Sequence, residues 1–339
     1  MQPGMTKTLT PAKKAATTLH RDGPPPWPSF TGTSQFVGTS PSGAVNVFVD
    51  ASLGDPAVQN AQDLVADADR VVDANNALFG TPGGPVDIIV FALGGATDGT
   101  GGADHNGCDY TTGAAIEVCA SFGHSARVSA LFEAELSECS MGGNLCGVST
   151  GEALSRWCAA VIGNNALSDF ASAPTWVQNG MPNFVDQVAP TDQDAVSTGC
   201  GMAFLSWMQS LGHTLSEICP AMAALTEGGT FAQLYGQLTN DSAANAFPTF
   251  LAAVQALPNG VNDDDPFAAS ATAGPEIHLD PHAIAMAGTR FSAIRYGMTS
   301  GKTPDQIAAN VKSHLVAGMS KKAMGGTCKT GSRRLHPPR

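Results

Sequence analysis

Three glutamates stand where carboxylate chemistry has consequences. In the segment Val128 to Glu138, Val128, Leu131 and Phe132 form one apolar stripe at helical spacing. One turn further on the stripe meets Glu135, and Glu138 follows three residues later, so two carboxylates fall where core residues are expected. Burying an ionised carboxylate is costly unless it is paired, hydrogen-bonded or bound to metal. Neighbouring carboxylates also raise each other's proton affinity, which is one way to prepare a general acid or base. If the helix end turns to solvent after Phe132 instead, both glutamates are wet. Glu133 leaves the stripe and is expected to be solvated. The third acid, Glu152, opens a later helix. Ser149-Thr150-Gly151-Glu152 fits a capping box, with Ser149 as cap and Glu152 reaching back to its N–H, and Arg156 lies one turn on. A cap or an ion pair is favoured over a ligand role for Glu152.

Other candidates carry less. The stretch Thr97 to Asp109 is rich in glycine and oxygen donors, and Asp98, Asp104 and Asp109 there are a second, minor cation-site candidate. Their spacing does not follow the EF-hand order, and Asx turns explain the composition equally well. His278 and His282 flank Pro281, which argues against a shared helical face. His124 and His213 read as a helix start and a turn. The glycine clusters at 94–95 and 101–102 lack a phosphate-binding frame.

The elements that must position these acids follow from hydrophobic periodicity. Residues 44–49 and 86–93 read as buried strands, joined by a helix that opens at Asp55-Pro56 and stops at Gly80. A long loop, Gly94 to Asn106, leads to an edge strand at 114–119 with one wet face. The pattern turns helical from His124 to Cys139, and afterwards almost no strand signal remains. Helices are expected at 151–162, 196–211, 215–226, 230–238 and 242–257, with Thr214 and Asp241 as N-caps. Asp263 to Pro266 reads as a loop or linker, and further helices are expected at 281–297 and from 303 to about 316.

This order predicts an α+β fold, a small mixed sheet beside a mainly helical C-terminal subdomain. The expected organisation is a disordered arm at 1–43 and an α+β domain at 44–262, its sheet part 44–123 and its helical part 124–262. A helical extension at 263–319 and a flexible tail at 320–339 complete it.

Ala134-Glu135-Leu136-Ser137-Glu138 resembles the His-Glu-x-x-His helix of zincin metallopeptidases, with Ala134 and Glu138 in the two histidine positions. Gly151-Glu152-Ala153-Leu154-Ser155-Arg156 is similar to the helix that supplies a third ligand in that family. The run from Val45 to Leu257 resembles a group of bacterial zincin-like proteins, through the patterns Gly151-Glu152-x-Leu154-Ser155-Arg156 and Ser197-Thr198-Gly199-Cys200. The resemblance implies a zincin-like fold, a general-base position at Glu135 and ligand positions at Glu138 and Glu152. Ala134 cannot bind metal, and a carboxylate at 138 suits Mg, Ca or Mn better than zinc. A divalent cation other than zinc, or no cofactor at all, is therefore the expectation.

The bulk composition limits the partners. A formal charge of -12 opposes binding to nucleic acid or anionic lipid, and no segment reaches the ~20 apolar residues of a membrane span. Eight cysteines, with Cys108 near Cys119 and Cys139 near Cys146, suggest short disulfide loops and an extracytoplasmic or secreted protein, although no signal peptide is visible. Three functions fit. The leading one is a metallopeptidase-like fold without its zinc histidines, acting as a non-catalytic binding or scaffold protein with a peptide or protein partner. The second is a hydrolase using Glu135, Glu138 and Glu152 with a non-zinc metal or as paired acids. The third is a structural protein that self-associates through its terminal arms.

Overall fold

The computed structural model describes residues 24–80, 83, 85–107, 114–142, 145–225 and 228–268. Five strands form one mixed sheet: β1 (Ser34–Thr39), β2 (Val45–Asp50), β3 (Val86–Phe91), β4 (Ala103–Asn106) and β5 (Ala114–Cys119), in the order β1-β2-β3-β5-β4. The central β2, β3 and β5 run parallel, and the outer β1 and β4 are antiparallel to their neighbours. Parallel neighbours need a crossover, and α1 (Asp55–Phe79) supplies the one between β2 and β3. Pro56 opens that helix, and Gly80 closes it in the left-handed conformation, its N–H donating to the Asn76 carbonyl. Every residue of β3 is buried, as expected for a strand covered on both faces.

One sheet face packs on α1 and on α2 (Ser125–Met141) through Val47, Ile88, Val118, Leu64, Val71 and Phe132. The opposite face, carrying Phe48, Ile89 and Phe91, is covered by Trp27 and Phe30. Glu117 of β5 fastens that cover. Its fully buried carboxylate accepts from the N–H groups of Ser29 and Phe30 and from the Ser29 hydroxyl, at 2.6–3.0 Å. Residues 24–43 are therefore built into the sheet, against the expectation of a disordered arm through residue 43. Their Pro-rich composition hid a short strand and two aromatic anchors.

A second correction concerns the sheet edge. The strand at 114–119 is not the edge, because β4 pairs with it, and its residues 116–119 are buried, Ser29 and Phe30 covering Glu117. The edge strand is β4, which falls inside the stretch expected to be a loop.

The second half is helical: α3 (Ser149–Ile162), α4 (Ala173–Gln178), α5 (Ala195–Ser210), α6 (Leu215–Ala223), α7 (Phe231–Thr239) and α8 (Ala246–Gln255). Trp176, Phe204, Trp207, Phe231 and Phe250 form its core. Thr214 caps α6 through a capping box with Glu217, as expected. The helix expected at 242–257 is two pieces, a 3-10 turn capped by Ser242 followed by α8, and Asp241 instead holds Tyr235 Oη and Asn245. Of the two alternatives for Asp263 to Pro266, loop or linker, the structure shows a loop, and it is packed on the helical half. Asp264 accepts from the N–H groups of Ser172 and Ala173 at the start of α4, Asp265 accepts from Ser206, and Phe267 lies in the helical core. The helices expected beyond residue 268, His278, His282 and the residue 320–339 tail lie outside the described residues.

Candidate functional site

The expected acids come together where α2 and α3 approach the edge strand. Glu135 and Glu138 lie one turn apart on α2, and Glu152 is in the first turn of α3. The Glu138 and Glu152 carboxyls hydrogen-bond to each other, which requires a proton on one of them. Ser155 Oγ lies 3.4 Å from Glu138 Oε1, and Arg156 stands 3.8 Å from Glu152 on one side and 3.8 Å from Asp264 on the other. The capping box expected at Ser149 is absent. Ser149 is the first helical residue and accepts from the Ala189 N–H, which leaves Glu152 to face Glu138.

The decisive addition is His105 of β4. Its Nδ1 meets Glu135 Oε2 at 2.7 Å, and its Nε2 lies 4.0 Å from Glu138 Oε2 and 3.3 Å from Cys146 Sγ. Among the described residues, His105, Glu138 and Cys146 form a three-donor group close enough to surround an ion. Cys146 is not one of the free thiols and its sulfur is already engaged, so it is assigned no thiolate role. A fourth acid, Asp192, adds its charge to the fields at His105, Glu135, Glu138 and Glu152.

This crowding sets the protonation states. Burial, and then the charges of Glu135 and Glu152, hold the Glu138 carboxyl far above the ordinary carboxylate range. Burial raises Glu152 as well, against the pull of Arg156. Burial also raises Glu135, opposed by its bond to His105. At His105 burial disfavours the charged ring, but Glu135, Asp104 and Asp192 outweigh it and hold the imidazole above its usual range. The cluster is short of positive charge, and either protons or a cation must make up the difference.

Ala134, in the first histidine position of the resemblance, has no donor and is buried. The zinc histidine pair is therefore not available on α2. An imidazole from β4 with carboxylates from α2 and α3 makes a harder, oxygen-rich donor set, which fits a cation such as Mn better than a zinc-selective one.

Glu133 is corrected. It is fully buried, not solvated, and accepts from Ser137 Oγ at 3.0 Å while its second oxygen has no hydrogen-bond partner. Burial holds its carboxyl well above the ordinary range. Of the minor cation-site candidates only Asp98 and Asp104 fall among the described residues. Asp98 accepts from the N–H and hydroxyl of Thr100 as an Asx turn, Asp104 lies on β4, and Asp109 is outside the described residues. The two short cysteine loops are also not formed, since Cys119 is a free thiol and Cys139 is a thiol directed at the Gly107 carbonyl.

The comparisons with known proteins do not assign the site. No family model, curated protein or solved structure matches the chain.

The recurrent patterns noted in the sequence acquire local causes. A Cβ on Gly151 would fall 1.9 Å from the Leu145 carbonyl, so only glycine lets α3 lie against the Leu145–Gly147 turn. Leu154 enters the core, and Arg156 binds the Phe170 carbonyl as well as its acids. The sequence reading missed His105 and Asp192. Ala103-Asp104-His105-Asn106 offers no sequence signal for this placement; that its first and third residues face inward more than the others is visible only in the structure.

Proposed function

We propose that this chain is a zincin-like protein whose site binds one divalent cation through His105, Glu138 and Glu152, and that it acts as a cation-dependent hydrolase. The observation that carries the reading is the hydrogen bond from His105 Nδ1 to Glu135. A carboxylate that accepts from one ring nitrogen fixes the tautomer and aims the other nitrogen at a metal. Here that other nitrogen lies 3.3 Å from Cys146 Sγ and 4.0 Å from the Glu138 carboxylate, within the three-donor group. Glu135 is thus a positioning residue for His105. Support for the zincin-like form comes from the antiparallel edge strand, the acidic helix behind it and the second helix bearing Glu152.

When bound, the cation supplies Lewis acidity and lowers the pKa of a coordinated water. His105 and Glu138 give up protons to receive it, and Arg156 holds Glu152 in place from the outer side. Ala134 favours a second reading, the non-catalytic binding or scaffold protein, because α2 lacks the histidine pair. The separating test is elemental mass spectrometry of the purified chain after incubation with Mn²⁺, beside Glu138→Gln and His105→Ala variants, followed by peptide hydrolysis assays. About one ion per chain, lost in both variants, together with ion-dependent cleavage supports the hydrolase. Binding without cleavage moves the protein to the scaffold reading. No ion in the wild-type chain removes the metal centre altogether.

A further inference from the structure

Behind the cluster, on the core side of α3, lies a pair of thiols that the proposed chemistry does not use. Cys158 of α3 and Cys219 of α6 are both fully buried, and their sulfurs approach to 3.6 Å. No other pair of described thiols has its sulfurs in such contact: Cys119 is directed to the carbonyls of Leu93, Ala96 and Ala120, and Cys139 to that of Gly107. We propose that Cys158 and Cys219 are an oxidation site, a dithiol that closes into a disulfide tying α3 to α6.

The geometry asks little of the fold. Disulfide sulfurs sit about 2.05 Å apart, so the two sulfurs need to close by about 1.5 Å, within reach of side-chain rotation on fixed helices. Access comes from α6. That helix has nine residues, and Pro220 follows Cys219 inside it. Proline has no N–H to give the carbonyl one turn back, so α6 lacks a hydrogen bond beside the thiol and is suited to local opening. While the helices are closed, the bond to Cys219 and burial hold the Cys158 thiol well above its usual range. Oxidation therefore proceeds through the opened form.

The reaction balances as thiol–disulfide exchange with a small disulfide. The Cys219 thiolate attacks one sulfur of oxidised glutathione and releases one glutathione thiolate. The Cys158 thiolate then attacks the Cys219 sulfur of the mixed disulfide and releases the second. Two protein protons pass to the two glutathiones. The consequence reaches the site, because Cys158 lies two residues from Arg156 on the helix that carries Glu152.

The test uses the full chain. Reduced protein is equilibrated with oxidised glutathione, denatured, alkylated and mapped by peptide mass spectrometry. The expected product is a peptide pair linked through Cys158 and Cys219, with a Tm raised on the order of 10 °C and returned by dithiothreitol. Alkyl groups on both cysteines, or a bond from either one to another cysteine such as Cys200, overturns the proposal. Cys146 keeps its own disulfide in every variant, so the reading is the difference from the wild type: a Cys219→Ala chain shows a smaller glutathione-dependent Tm rise. A rise equal to the wild type's in Cys219→Ala, or in Cys158→Ala should the first variant fold poorly, counts equally against the proposal.

Discussion

Helix α2 carries acids on two sides, and the sides have opposite characters. Glu133 faces the closed interior, where Ser137 is its hydrogen-bond donor, Arg70 is a distant charge and one carboxylate oxygen has no partner. Glu135 and Glu138 face the edge strand, where groups from β4, α3 and the segment around Asp192 converge on them. All three carboxyls are raised by burial, so burial alone does not separate a site from a buried structural acid. Convergence and access do. Glu135 and Glu152 keep part of their surface, with side chains 16% and 24% exposed, whereas Glu133 has none.

The largest perturbation is Gly151→Ala, which breaks the open side at its frame. Its new methyl group has no room against the Leu145 carbonyl, so α3 must move, and urea unfolding is expected to show a loss of about 3 kcal/mol or more. An unchanged midpoint would mean that the Leu145 turn does not fix α3.

Glu133→Gln sharpens the closed side. The folded protein raises the Glu133 pKa above its ordinary 4.5, so the folded state holds a proton that the unfolded chain releases. Stability linked to this group is therefore complete below pH 4.5 and declines as pH rises toward the folded value. The variant removes that decline. It should exceed the wild type by about 1–3 kcal/mol at alkaline pH, and the two curves should converge in acid. Parallel pH–stability curves would show that Glu133 is not held neutral.

Glu138→Gln should do the reverse on the open side. It abolishes ion binding while changing the free energy of unfolding at neutral pH by less than about 1 kcal/mol, because the carboxyl it replaces is already held neutral and Gln keeps its shape. A large loss of stability there would make the open side as structural as the closed one. Ion binding in the wild type should strengthen as pH rises, because His105 and Glu138, both with raised pKa values, must release protons to ligate. Titration calorimetry at pH 6 and pH 8 reads this directly, and equal affinities would remove His105 from the ligand set. The smallest effect belongs to Asp192→Asn, which weakens ion affinity by roughly 3-fold through lost long-range charge. A complete loss would promote Asp192 to a ligand.

The legible parts of the molecule are those with continuous local signals. The apolar run of β3, the periodicity of α1 between Pro56 and Gly80 and the capping box at Thr214 all lie within a few residues and mark themselves. The acidic pair on α2 was legible for the same reason, as a break in an apolar stripe. Glu133 was not, because α2 is covered on nearly every side by α1, α3 and the sheet, so leaving one stripe did not mean reaching water. β4 was hidden because Ala-Asp-His-Asn has no hydrophobic alternation, and its strand character comes from pairing with β5.

The sequence by itself determined the mixed α+β plan, the helical second half and the placement of Glu135, Glu138 and Glu152 at helix positions one turn apart or at a helix start. These are properties of spacing, and spacing is local. Tertiary structure alone decided that His105 meets Glu135, that Glu152 turns from its own helix end to Glu138, and that Glu117 fastens the segment around Ser29. Each of those depends on residues tens of positions apart. Only the sheet order and the packing of α2 and α3 against it bring them within hydrogen-bonding distance.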